Sequence, residues 1–221
     1  RHTTSVQDLG KFAFNALGED TVKDPVFRKM QKAASTHSTQ DNNRDFLQRV
    51  AMDTLATSEQ LGALSVPGGG SVYPNSNIGR QLQRVGNMIE AKVATRVYYV
   101  SHGGFDTHSG QAGRHAQLLK QLDDALRAFT AHIKRLKEFD RVSVMSFSEF
   151  GRQLNQNGTQ GTDHGAAAPL FMLGGGVQPG FHSEYPGLER KELYGNGDLK
   201  HTIDFRSVYA AVLEQWLGSK S

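Results

Sequence analysis

Over residues 96–108 the sequence reads Arg-Val-Tyr-Tyr-Val-Ser-His-Gly-Gly-Phe-Asp-Thr-His. Its first five residues, Arg96 to Val100, are mostly β-branched and aromatic, the composition of a short buried strand. The rest is polar. Gly103 and Gly104 allow a tight backbone turn, and His102, Asp106 and His108 are residue types that ligate metal ions.

Downstream, the spacing of Leu118, Leu122, Leu126 (or Ala125), Phe129, Ile133 and Leu136 predicts a long amphipathic helix over 114–137. Residues 141–147, Arg-Val-Ser-Val-Met-Ser-Phe, read as a second strand, and 148–168 as a long polar loop. Residues 170–173 read as a third strand, which Gly174-Gly175-Gly176 ends in a turn. A last helix is expected over 204–217, capped by Asp204 and burying Phe205, Val208, Tyr209, Val212 and Trp216. Upstream, Leu82, Val85 and Ile89 mark a helix over 78–91, preceded by a loop rich in Gly, Pro, Ser and Asn over 65–77. Helical spacing also appears over 41–64, through Phe46, Leu47, Val50, Leu55, Leu61 and Leu64, and a short helix is expected over 25–34.

Strand, loop, helix, strand, loop, strand is the pattern of an α/β chain with a largely parallel central sheet flanked by helices. In such sheets ligands bind at the carboxyl ends of the strands, which is where both polar loops leave. The chain of 221 residues is long enough for one sizeable core, so residues 1–221 are expected to form a single α/β domain. No stretch has the length of a membrane span. The formal net charge of +3 is too small to point to nucleic acid. The absence of cysteine rules out disulfides and thiolate metal sites. The chain opens on Arg1 with no signal-like segment behind it, which suggests a start inside a longer precursor.

Two constellations carry chemistry. In the first loop Asp106 and His108, with His115 in the first turn of the long helix, lie within reach of one ion; the alternative is a turn capped by Asp106 with solvated histidines. The second loop starts Ser148-Glu149-Phe150-Gly151-Arg152. A carboxylate at a strand end is costly unless paired or bound to a cation. Glu149 therefore either bridges to Arg152 or binds metal, leaving Arg152 to match an anion in a guanidinium fork. The loop closes with Gly161-Thr162-Asp163-His164-Gly165, in which Asp163 and His164 are a further ligand pair or, more simply, a turn. Ser146, Ser148 and Thr162 sit in no Gly-x-Ser-x-Gly elbow.

Gly-Arg-Gln-Leu at 79–82, Val-Tyr-Tyr-Val-Ser-His-Gly-Gly-Phe-Asp-Thr-His at 97–108, Ser-Glu-Phe-Gly-Arg at 148–152, Gly-Thr-Asp-His-Gly at 161–165 and Asp-Phe-Arg-Ser-Val-Tyr at 204–209 together resemble the bacterial domain-of-unknown-function family 1501, a relative of the alkaline phosphatase and sulfatase superfamily. The likeness runs from about residue 70 to 218. It implies the C-terminal portion of a longer alkaline phosphatase-like domain, with the N-terminal part and its nucleophile upstream. It also implies twin-arginine export to the periplasm or beyond, and a site at the carboxyl ends of the strands that binds divalent metal, zinc first, with manganese or calcium as alternatives. Such ions activate a Ser or Thr and clamp a small phosphate or sulfate ester. Carried over residue by residue, the metal ligands are Asp106, His108, Glu149, Asp163 and His164. Arg152 acts on the substrate anion, with His115 beside it. In another register, Asp163-His164 matches the Asp-His-Gly ligand pair of phosphoglycerate mutases. One departure stands out: the superfamily's adjacent Asp-His at the second strand end is here Glu149-Phe150. A site degraded at that position would suit a non-catalytic binding or scaffold protein on the same fold.

Overall fold

The computed structural model describes residues 72–219. The helices expected over 25–34 and 41–64 lie outside the described residues, as does most of the loop expected over 65–77. The chain divides into two compact units, Arg1–Val72 with Arg80–Val100, and Tyr73–Gly79 with Ser101–Ser221.

Helix α1, Asn77–Glu90, starts where Ser76 Oγ accepts from the Gly79 amide at 3.1 Å, an N-terminal cap that satisfies one of the helix's orphan donors. Arg96 to Val100, expected as a buried strand, has no regular secondary structure. Val97 is 67% and Tyr99 75% exposed, while Tyr98 and Val100 are half-buried. The β-branched and aromatic residues extend the backbone, but a strand is made by a ladder with a neighbour, and neither ladder of the described residues includes this stretch.

The second unit is organised by α2, Gln111–Arg135, whose buried residues are Leu118, Ala125, Phe129, His132 and Ile133. Leu118, Phe129 and Ile133 belong to the apolar stripe read from the sequence, in which Ala125 rather than Leu126 is the buried residue, while Leu122 and Leu136 are half-buried and His132 is an addition. Its imidazole is 2% exposed and its Nδ1 lies 2.9 Å from the Tyr73 hydroxyl. The C-terminal half of α2 packs on a pair of short strands, β1 at Ser143–Met145 and β4 at Met172–Gly174. Phe129 and Ile133 meet Phe139, Val142, Val144 and Leu173 around a small apolar gap.

β1 and β4 run antiparallel, Val144 opposite Leu173; beyond them Ser146 N–H donates to the Phe171 carbonyl and Phe171 N–H donates to the Ser146 hydroxyl oxygen. A second antiparallel pair joins β2, Gly151–Arg152, to β3, His164–Gly165, with Arg152 opposite His164. The described residues contain no parallel pair. Parallel neighbours need a crossover, usually helical, and the connection from β1 to β4 contains no helix but only the β2–β3 hairpin.

The last helix, α3 at Phe205–Ala211, passes into a wider turn at Val212–Trp216. Asp204 caps it as expected, accepting from the Arg206 amide at 2.9 Å. The stripe expected to be buried is not: no residue of α3 is fully covered among those described, and Phe205 is 59% exposed. Phe205 and Phe147 each pack edge-on against Tyr209 instead. No helix among the described residues is long and apolar enough to cross a membrane.

Candidate metal centre

The loop before α2 and the β2–β3 hairpin are bound together at several points. Backbone amides at the N-terminus of α2 have no partner within their own helix. Here Gly110 N–H donates to the Thr159 carbonyl and Gln111 N–H to that of Gln160, each at 3.0 Å. Asn157 Nδ2 and Thr159 Oγ1 both donate to the carbonyl of His108. The Asn157 Oδ1 accepts from the amides of Thr159 and Gly161, folding the turn on itself. Gly161 is buried at the crossing, where a Cβ would stand 2.3 Å from the His108 carbonyl carbon.

Arg152 closes the other side. Its half-buried guanidinium donates to the carbonyls of Thr162 and Phe105 and to Thr107 Oγ1. It makes no ion pair with Glu149. Glu149 is exposed at a bend, and among the described residues it has neither a hydrogen bond nor an ion pair. Arg152 therefore ties the two loops together through their backbones, using three of its five N–H donors.

These ties bring three of the expected ligands together. Asp106 Oδ1 lies 2.7 Å from His164 Nε2 and 3.0 Å from His108 Nε2, and the two nitrogens are 3.2 Å apart. Asp106, His108 and His164 form an exposed group whose ligand atoms could hold a metal ion. Tetrahedral zinc with bonds of about 2.0–2.1 Å sets its ligand atoms roughly 3.3 Å apart, so the triangle would need to open by only about half an ångström. Protons satisfy it poorly, because two N–H groups aimed at the one Asp106 oxygen from nitrogens 3.2 Å apart would crowd each other, whereas a cation accepts a lone pair from each of the three atoms. The donor set also fits: one carboxylate and two imidazoles suit zinc, and three protein ligands leave one position open.

Of the other expected metal ligands, Asp163 touches this triangle and Glu149 does not join it. Asp163 Oδ1 faces the other ring nitrogen of His108, Nδ1, at 3.3 Å, and also accepts from Asn157 Nδ2 at 3.2 Å. His115 packs its ring edge-on against Phe105. His102, from the same loop, points away to the Leu118 carbonyl. Phe150 stacks flat on His164, with centroids 3.9 Å apart and planes 5° from parallel. The hydrogen bond from His164 is the main cause that holds the Asp106 carboxyl below the usual carboxylate range. The amide of Asn157, with His108, does the same for Asp163. Both therefore remain anionic at neutral pH, as a cation site requires.

The profile of the family described as "Protein of unknown function (DUF1501)" matches residues 15–221. The chain belongs to the DUF1501 family. No curated protein and no solved structure matches it. For this DUF1501 chain, sequence reasoning missed Asn157, Thr159 and Gln111, whose Oε1 accepts from Thr162 Oγ1 at 3.0 Å. Asn157-Gly158 is a turn dipeptide, but nothing in it announces that the amide reaches the opposite loop.

Proposed function

We propose that this protein is a metal-dependent hydrolase of phosphate or sulfate esters, built on an alkaline phosphatase-like α/β fold and exported from the cytoplasm. Asp106, His108 and His164 hold the ion, zinc first and manganese or calcium next. The observation that carries the proposal is the triangle of Asp106 Oδ1, His108 Nε2 and His164 Nε2, drawn from two loops and poorly satisfied by protons. A bound divalent ion would polarise an ester oxygen and lower the pKa of a bound water. The chain's own residues orient the ligands. Arg152 fixes the loop carrying Asp106 against the strand carrying His164, and its remaining N–H donors are the candidates for an anionic oxygen. Glu149, exposed and without a partner among the described residues, would join only if the bend at Glu149 moved.

Elemental analysis of the purified protein beside the Asp106→Ala/His164→Ala double variant is the test. One equivalent of zinc in the wild type and none in the variant is expected, followed by metal-dependent turnover of p-nitrophenyl phosphate or sulfate. Wild type without metal after incubation with zinc, manganese and calcium refutes the proposal.

One observation favours a second reading, a non-catalytic exported binding or scaffold protein. Phe150 occupies the position where the resemblance implies another imidazole, and its ring covers a face of His164. Stoichiometric zinc with no turnover of either ester would select that reading.

A further inference from the structure

We infer that Asp163 is a positioning residue for His108: it accepts the proton of Nδ1 and so leaves Nε2 as the bare nitrogen turned toward Asp106 and His164. The inference rests on the metal-binding reading above.

A neutral imidazole carries one proton on two nitrogens, and here each nitrogen faces a carboxylate. Nε2 lies 3.0 Å from Asp106 Oδ1 and Nδ1 lies 3.3 Å from Asp163 Oδ1. The two ends differ in what else is there. Around Nε2 a second imidazole nitrogen stands at 3.2 Å, so a lone pair at that end can be shared with a cation or accept a proton from His164. Nδ1 has Asp163 alone, so a bare nitrogen there would set lone pair against lone pair with no proton to relieve it, whereas at the other end a proton on His164 Nε2 can lie between Asp106 Oδ1 at 2.7 Å and His108 Nε2 at 3.2 Å. The proton therefore belongs on Nδ1.

Asp163 is itself fixed. Asn157 Nδ2 donates to Asp163 Oδ1 at 3.2 Å and to the His108 carbonyl at 3.0 Å, so one amide holds both the backbone of His108 and the acceptor of its ring. That amide cannot rotate freely, because its Oδ1 accepts from the Thr159 and Gly161 amides at 3.1 and 2.9 Å. The Asp163 backbone is pinned as well, its carbonyl accepting from Gln153 N–H at 3.0 Å. A carboxylate behind a ligating histidine fixes the tautomer and ring orientation and raises the basicity of the ligating nitrogen. His164 has no such acceptor among the described residues, only the ring of Phe150.

The test compares wild type, Asp163→Ala, Asp163→Asn and Asp106→Ala. Zinc affinity is read by competition with a chromophoric chelator. The ring protons are read from imidazole ¹⁵N spectra of the metal-free proteins at about pH 8.5, well above the ordinary imidazole value near 6.5. Asp163→Ala is expected to weaken zinc binding by about tenfold to a hundredfold with stoichiometry unchanged. Asp163→Asn, which keeps a carbonyl acceptor for Nδ1–H, should stay within a few fold of wild type, and Asp106→Ala should bind none. The spectra should show the His108 proton on Nδ1 in wild type and displaced toward Nε2 in Asp163→Ala. Wild-type affinity in Asp163→Ala, or a loss as complete as in Asp106→Ala, overturns the inference. So does a wild-type proton on Nε2. Should wild type bind no zinc at all, the metal reading fails by itself, and the ¹⁵N spectra alone decide whether Asp163 positions His108.

Discussion

Gly161→Ala should do more damage than a single methyl usually does. The added Cβ would stand 2.3 Å from both the carbonyl carbon and the oxygen of His108, and 2.8 Å from the Ser109 nitrogen. Carbon atoms rest at about 3.5–4.0 Å, so the two loops must part by roughly 1 Å. Every atom in the way is backbone, and no rotamer change relieves it. Overpacking of this kind costs about 1–3 kcal/mol, which for a chain of this size lowers the Tm by roughly 3–10 °C. The same displacement carries His108 away from His164, whose nitrogens now lie 3.2 Å apart. A functional site is held to within about 0.5 Å of its working geometry, so zinc affinity should fall by at least tenfold. Gly158→Ala in the same turn is the control, since nothing lies within 4 Å of its Cβ. Differential scanning fluorimetry and zinc competition on both variants decide the matter. A Gly161→Ala protein that melts and binds zinc like Gly158→Ala would show that the loops do not cross as closely as described.

Arg152→Ala leaves the carbonyls of Phe105 and Thr162 without their charged donor; a loss of about 2 kcal/mol is expected, read by urea denaturation, and Arg152→Lys should recover little, since an ammonium cannot span both. Asp204 is held at about 2, chiefly by the Arg206 guanidinium and then by the Arg206 amide; because its folded value is depressed, its contribution is complete above the ordinary value of about 3.9 and disappears as pH falls through 2. Asp204→Asn should therefore melt below wild type at neutral pH, and acid titrations of the two should converge near pH 2. Phe150→His should bind no second equivalent of zinc: the ring at 150 lies flat on His164, and imidazole nitrogens ligate in the plane of the ring. A second equivalent by elemental analysis would mark Phe150 as the replacement of a lost ligand.

The helices could be read from the sequence where one apolar face was enough to define them. Leu118, Ala125, Phe129 and Ile133 are buried along α2 because packing selects one stripe of an already periodic segment. Asp204 could be placed because a cap is a local device, decided within three residues. Strand pairing is decided by whatever comes alongside, and the sequence holds no such information at short range. Arg96 to Val100 has the composition of a strand, yet its side chains alternate between half-buried and exposed without a ladder partner among the described residues. Phe205 and Trp216 fit a helical stripe equally well, and only the absence of covering residues among those described leaves Phe205 more than half exposed.

The candidate site divides along the same line. Asp106, His108 and His164 could be named because few residue types bind metals, and those types clustered after predicted strands. Ranking them against Glu149, Asp163 and His115 was beyond the sequence, because all six are chemically eligible. The structure separates them by which atom faces which. Asp106 and Asp163 both touch His108, but on opposite sides of the ring, so one shares the bare nitrogen's neighbourhood and the other takes its proton. Glu149 and Arg152 are adjacent enough to suggest a salt bridge, yet the arginine is drawn off by two carbonyls from elsewhere in the chain. A carbonyl carries no signature in the sequence, because every residue has one. Whatever backbone groups decide is therefore hidden until the loops are seen together, and here they decide which side chains are left to form the candidate ligand set.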